Sequence, residues 1–291
     1  MGIQKKLKLF ISNRFSSILY PFIAKKKSTA VIVHVLSSEF LNHKEKLSYS
    51  FVNTVILNHF YKNYDPNNPT EYYREIIKNH VWGGTTGMKW HAEEAEYDQN
   101  LDKYKKWRRI QIDQIEDFLK NNNYYQYIVE IGCGNGKYID YLSRNLGSQY
   151  KYIGIDISKE QIEWNKTYYQ RNPNLKFYHE DLGNKESIHK ESNTLYLTFG
   201  TLSCFTQIEL DVWLHKIKPI SGKNAVSIAE WIIDYNYLEK VDSEPMSQTL
   251  YNHNYACRVQ NAQMEMYKLE YVSAEDEFDK HTRTILIAEN K

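Results

Sequence analysis

The stretch VEIGCGNGKY (129–138) decides how the rest of the chain is read. An apolar run closes on an acid, Glu130, and glycine then takes alternate positions, Gly132, Gly134 and Gly136, before a segment of helical character begins. A turn so bare of side chains suits a backbone that must bend sharply or a ligand that must reach the main chain closely. Both demands meet at the first strand-to-helix connection of a doubly wound α/β sheet, where ligands bind outside the carboxyl ends of the strands. The spacing is G-x-G-x-G. The dinucleotide fingerprint G-x-G-x-x-G would want glycine at Lys137, so a nicotinamide- or flavin-dependent oxidoreductase is disfavoured.

Downstream of this stretch, strands alternate with helices. Strands are expected at 127–132, 151–156, 175–179, 194–199 and 224–230, with helices near 136–146, 158–171 and 206–218. Such alternation predicts a parallel sheet covered on both faces. Two more strands, roughly 262–272 and 281–289, are joined by SAEDEFDKH (273–281), too short for a crossover helix. The expected fold is therefore α/β and doubly wound, a seven-stranded mostly parallel sheet whose last strand is antiparallel.

Upstream, the pattern is helical. Val52, Ile56 and Phe60 fall at helical spacing, DPNNP (65–69) breaks that element, and a short helix begins near Thr70. WGGTTGMKWH (82–91) cannot be a regular element and is expected as a loop near the active site. A further helix over 101–119 presents Ile112, Ile115 and Leu119 on one face and stops at Asn121, Asn122 and Asn123. The division expected is a helical N-terminal extension, 1–103, and a sheet domain, 104–291.

Composition bounds the class. With 291 residues and 42% hydrophobic content the chain can bury a full core, which excludes disordered and fibrous proteins. Cys133, Cys204 and Cys257 lie far apart, with no CxxC and no histidine at ligand spacing. Neither a disulfide framework nor a metal site is implied, and a reducing, cytoplasmic setting fits. Residues 1–27 hold seven basic side chains and no acidic one, leaving 30 basic against 36 acidic residues for the remainder, so the body is a poor binder of nucleic-acid phosphates. Within 1–27, the apolar run 9–24 is interrupted by Asn13 and Arg14, too short and polar for a transmembrane span. Three readings stand: a helix lying on an anionic membrane surface, an organelle transit peptide, or a first helix packed on the domain with solvated lysines. Position 6 is Lys, which breaks a Gly2 myristoylation signal.

The later strand ends agree with the first. Asp156 closes YIGID (152–156), its carboxylate placed to accept hydrogen bonds from the two hydroxyls of a ribose. FYHEDL (177–182) ends in Asp181 beside Leu182, suited to an amine and the face of its ring. Glu130 would hold the turn or an ammonium group. Structural alternatives exist for each: Gly136 for helix packing, Asp156 and Asp181 as helix caps, Phe199 as core.

Residues 104–291 resemble a class I S-adenosylmethionine-dependent methyltransferase. The resemblance rests on Glu130, Gly132, Cys133, Gly134 and Gly136, on Gly154, Asp156, Ile157 and Ser158, on Glu180, Asp181 and Leu182, and on the fourth-strand end Phe199, Gly200, Thr201 and Leu202. It implies S-adenosylmethionine as cofactor. Glu130 and the glycines with Cys133 would then flank the methionine moiety, Asp156 and Ile157 the ribose, Asp181 and Leu182 the adenine, and Phe199 and Gly200 the floor beneath the sulfonium.

Methyl transfer from a sulfonium is an in-line displacement on an activated donor, so holding the acceptor in line supplies most of the acceleration. A hydroxyl acceptor adds the need for a base. His91, in the loop ahead of the sheet, and His253, in the segment after the fifth strand, are the candidates. Base-amine methyltransferases of this fold carry an Asn/Asp-Pro-Pro-aromatic run after the fourth strand; Phe199, Gly200, Thr201 and Leu202 stand here instead. No nucleic-acid partner is expected. Trp82, Trp90, Trp231 and Tyr235 could form a stacking platform for a sugar or simply pack in the core. The expectation is O-methylation of a small-molecule or carbohydrate-like acceptor, lipid-linked if residues 1–27 bring the enzyme to a membrane. The rivals are an amine or protein acceptor and a cofactor-binding protein without turnover.

Overall fold

Apolar side chains on both sides of Tyr127–Ile131 make this strand, β1, a central one: four of its five residues are buried. In the computed structural model, residues 106–182, 191–218, 222–232, 243–245, 251–273 and 282–290 are described. The chain divides into two units, Met1–Val81 and Trp82–Lys291, and every described residue belongs to the second.

The elements follow in the order α1 (Lys106–Asn121), β1, α2 (Lys137–Asn145), β2 (Lys151–Asp156), α3 (Lys159–Tyr168), β3 (Leu175–His179), β4 (Thr194–Phe199), α4 (Gln207–Lys216) and β5 (Asn224–Ile232). Then come the two-residue strands β6 (Glu244–Pro245) and β7 (Tyr251–Asn252), helix α5 (Tyr255–Asn261), and the long strands β8 (Met264–Ser273) and β9 (Thr282–Asn290). Seven strands form one sheet in the order β3-β2-β1-β4-β5-β9-β8. β1 to β5 pair in parallel, and β9 runs antiparallel to both β5 and β8.

The strand positions and the antiparallel last strand are those expected from the sequence. The order at one edge is not legible there: β9 inserts between β5 and β8, so the penultimate strand becomes the rim. The segment after β5, for which no helix was expected, contains α5, whose N-cap Asn254 accepts from the Cys257 N–H at 3.0 Å.

Period-two alternation sorts the strand residues onto two faces. Ile128, Leu195, Leu197 and Ile287 join Ile112, Ile115 and Phe118 of α1 and Ile139 and Leu142 of α2 in one apolar layer. Val129, Ile131, Tyr196, Ile228 and Leu286 join Trp213 of α4 and Val259 of α5 in the other. Each fully buried Ile or Leu among these contributes about 1.5–3 kcal/mol of transfer free energy. Thus α1, expected as part of a helical run before the sheet, is an integral layer of it. Its Gln111 side chain reaches across the layer and donates to the Thr198 carbonyl at 3.2 Å and the Ser227 hydroxyl at 3.1 Å.

Helix starts are set locally. Thr206 and Glu209 form a reciprocal capping box at α4. Ser158 caps α3 by accepting from the Gln161 N–H at 3.3 Å. Ser158 follows the end of β2 by two residues, and Thr206 follows β4 across a short 3-10 turn, Leu202–Cys204.

Candidate active site

Three glycines carry the chain from β1 into α2, with φ +68 at Gly132, +48 at Gly134 and +71 at Gly136. Non-glycine residues avoid this left-handed region, so the backbone path alone selects glycine. Two of the three are also required by the protein's own packing. A Cβ on Gly132 would run into the Thr201 side chain, and one on Gly136 would come within 2.7 Å of the Phe177 ring. The space cleared at these two positions is therefore filled by Thr201 and Phe177, a different reason from the ligand approach suggested by the sequence.

The turn is tied to β2. Gly132 N–H and Cys133 N–H donate to the Ile155 carbonyl at 2.8 and 3.0 Å, and Gly134 N–H donates to Asp156 Oδ2 at 2.9 Å. Asp156 Oδ1 accepts from the Ser158 N–H at 2.9 Å. One carboxylate thus joins the glycine turn to the start of α3. Beside it, Ile157 is half-buried, and its carbonyl accepts from His179 Nε2 at 3.0 Å.

Glu130 is buried on the α1–α2 face, where its Oε2 accepts from the Ile139 N–H at 3.1 Å. Burial pushes its carboxyl up to about 8, opposed by the positive charge of Arg108. The Arg108 guanidinium lies 3.9 Å from the centre of the Phe199 ring, and Phe199 packs at 5.8 Å against Tyr138. Helix α1 therefore brings a cation to the end of β4. Cys133 is buried and burial raises its thiol pKa well above the ordinary value, which makes it inert.

The β3 and β4 ends complete the edge. Glu180 N–H donates to the Asp156 carbonyl at 3.0 Å, while Glu180 Oε2 is buried with no hydrogen-bond partner among the described residues. Asp181 is half-buried and Leu182 buried in the α4–α5 layer. Gly200 has φ +67, and its N–H donates to the Ala229 carbonyl at 3.2 Å, turning the chain so that Thr201 faces Gly132. The expected cofactor residues Glu130, Gly132, Cys133, Gly134, Gly136, Asp156, Ile157, Asp181, Leu182, Phe199 and Gly200 are thus gathered at the ends of four neighbouring strands.

The histidine candidates fare differently. His253 is fully buried; its Nε2 faces the Phe205 carbonyl at 3.0 Å and its Nδ1 the Ser243 hydroxyl at 2.6 Å. A carbonyl can only accept, so Nε2 carries the proton and Nδ1 accepts from Ser243. Burial lowers its pKa to about 4, which keeps the ring neutral. Both nitrogens are engaged within the protein, an arrangement that fixes the turn after β4 and leaves no lone pair for an acceptor proton. His91, Trp82, Trp90, Tyr235 and the Trp231 side chain lie outside the described residues.

Sequence reasoning missed Asn165, Arg108 and Glu230. Asn165, on α3, donates from Nδ2 to the Gly134 carbonyl at 2.7 Å and so supports the turn from behind. Glu230 lies two residues before the end of β5, and its Oε1 accepts from the Thr201 and Leu202 N–H groups at 2.8 and 2.9 Å. A signal for Glu230 existed: an acid closes the apolar run of β5 as Glu130 and Asp156 close those of β1 and β2. Asn165 and Arg108 carry no such local mark.

Comparison with known proteins agrees with this arrangement. A family model described as a methyltransferase domain matches residues 128–220. No curated protein matches the sequence. Among solved structures, magnesium protoporphyrin IX methyltransferase from Synechocystis PCC 6803 with bound S-adenosylhomocysteine is similar at 14% identity, covering 74% of this chain and 98% of that one, with a TM-score of 0.53. The 1,6-didemethyltoxoflavin-N1-methyltransferase of Burkholderia thailandensis, with its substrate and S-adenosylhomocysteine bound, is similar at 12% identity over 78% of this chain and 91% of that one, also with a TM-score of 0.53. At such identities the likeness is one of fold. Residues 128–220 thus carry the match to a methyltransferase domain, and the described sheet has the fold of these two methyltransferases.

Proposed function

We propose that residues 104–291 are the catalytic domain and that it methylates an oxygen of a small-molecule or carbohydrate-like acceptor. The observation that carries the cofactor site is the place of Asp156, which ends β2 beside the glycine turn and accepts from both the Gly134 and the Ser158 N–H groups. The donor set fits S-adenosylmethionine. Glu130 and the turn with Cys133 would flank the methionine moiety, Asp156 and Ile157 the ribose, Asp181 and Leu182 the adenine, and Phe199 and Gly200 the methyl-bearing end. When bound, that cofactor supplies a methyl group already activated by the sulfonium, and the chain's task is to orient and to exclude water.

Phe199, with the Arg108 guanidinium over its ring, supplies a polarised aromatic wall rather than a proton acceptor. The turn Phe199 to Leu202 lacks the Pro-Pro-aromatic run of base-amine methyltransferases, which supports a hydroxyl acceptor. With His253 locked by Ser243 and Phe205, the base is assigned to His91 of the 82–91 loop. Residues 1–103 are read as a helical extension. The basic charge of residues 1–27 supports contact with an anionic membrane and a lipid-linked acceptor; no helix among the described residues is long and apolar enough to cross one.

Calorimetric titration with S-adenosylmethionine, S-adenosylhomocysteine and NADH tests the cofactor: micromolar binding of the first two and none of the third is expected, and the reverse overturns it. Transfer of labelled methyl to hydroxyl-bearing sugars or phenols, but not to their amine counterparts, is expected for the acceptor class; the opposite preference overturns it. Co-sedimentation with anionic liposomes that is unchanged on deleting residues 1–27 removes the membrane contact.

A further inference from the structure

Glu230 lies at the same carboxyl edge as the glycine turn but on the opposite sheet face from Glu130, among the α4–α5 layer. It is fully buried, and removing a carboxylate from water costs several kcal/mol unless hydrogen bonds compensate. One oxygen, Oε1, takes two main-chain donors from Thr201 and Leu202, while Oε2 is buried without a partner among the described residues. The groups facing it are Cys204 of the turn after β4, Tyr255 of α5 and Arg283 of β9. The Tyr255 hydroxyl is buried without a partner as well. Both residues it grips belong to the segment that meets Gly132.

We infer that Glu230 is a positioning residue for methyl transfer, its carboxylate fixing Thr201 and Leu202 so that the Thr201 side chain is pressed against Gly132 and the Phe199–Gly200 floor keeps its place. This role rests on the cofactor site proposed above. It acts through the main chain of the turn and needs no contact with the cofactor. Burial pushes the Glu230 carboxyl up to about 7, opposed by the main-chain donors and by Arg283. Its charge therefore changes within the ordinary working range. The ionised form accepts the two N–H groups more strongly than the protonated form does, so the grip loosens as pH falls through about 7.

The test uses the full chain and S-adenosylhomocysteine as probe. In the wild type, affinity should change as pH passes through about 7, and E230Q, similar in shape but uncharged, should bind about tenfold more weakly at pH 8 and lose the part of the pH dependence centred near 7, keeping the part that Glu130 contributes near 8. In the unliganded wild type, the amide protons of Thr201 and Leu202 should titrate near pH 7, a measurement that decides the matter if E230Q does not fold. Overlapping binding curves for wild type and E230Q, or Thr201 and Leu202 amides that do not titrate, overturn the positioning role alone. A wild type that binds no S-adenosylhomocysteine at any pH overturns the cofactor reading, and this role with it.

Discussion

The Thr201 side chain occupies the space into which a Cβ on Gly132 would project, so the turn after β1 and the turn after β4 are fitted to each other before any ligand arrives. Gly132 also holds φ +68, so Gly132→Ala meets two penalties, left-handed strain and a clash. The strain alone costs about 1–3 kcal/mol. G132A should lower the unfolding midpoint and abolish measurable S-adenosylhomocysteine binding, and adding Thr201→Gly should recover part of the stability. Full additivity of the two substitutions in a denaturation cycle would show that the contact does not couple them.

Asp156 offers one oxygen to each of two main-chain donors, Gly134 and Ser158. Asp156→Asn has a single acceptor oxygen and must turn its NH2 toward one of those donors. The loss of a charged hydrogen bond, about 1.5–3 kcal/mol, should weaken S-adenosylhomocysteine binding about 10- to 100-fold by calorimetry. Unchanged affinity would remove Asp156 from the cofactor site.

Asn165→Leu keeps the volume of α3 but leaves the Gly134 carbonyl without its 2.7 Å donor. A buried acceptor left unsatisfied costs about 1–3 kcal/mol. The variant should fold with a lower denaturation midpoint, and amide exchange at Gly136, whose N–H donates to the Cys133 carbonyl at 2.9 Å, should quicken. Exchange as slow as in the wild type would show that the turn holds without Asn165.

His253 is neutral in the fold, with its pKa lowered by burial to about 4 from the usual 6.5. A group whose pKa is depressed on folding gives stability that is full above its unfolded value and is lost as pH falls toward its folded one. Stability should therefore decline between about pH 6.5 and 4, and His253→Gln, less stable at pH 7, should lack that part of the slope. Parallel slopes in urea melts of the two proteins would contradict the assignment.

The sequence by itself determined the seven strands of the sheet and the helices α2, α3 and α4, the left-handed glycine path and the acids near the strand ends. These are local properties: alternation of apolar residues, glycine where φ is positive, and an acid near the end of an apolar run. It also carried the antiparallel last strand, because nine residues cannot hold a crossover helix. Only the tertiary structure decided what fills the space beside the glycines, since Thr201 in the turn after β4 and Phe177 on β3 reach Gly132 and Gly136. It alone placed Asn165 behind the turn, Arg108 over Phe199 and Glu230 beneath Thr201, contacts between residues about 30 to 90 positions apart that no local pattern encodes. His253 shows the same limit from the other side: a histidine in a polar segment reads as free to take a proton, and only packing against Phe205 and Ser243 engages both its nitrogens.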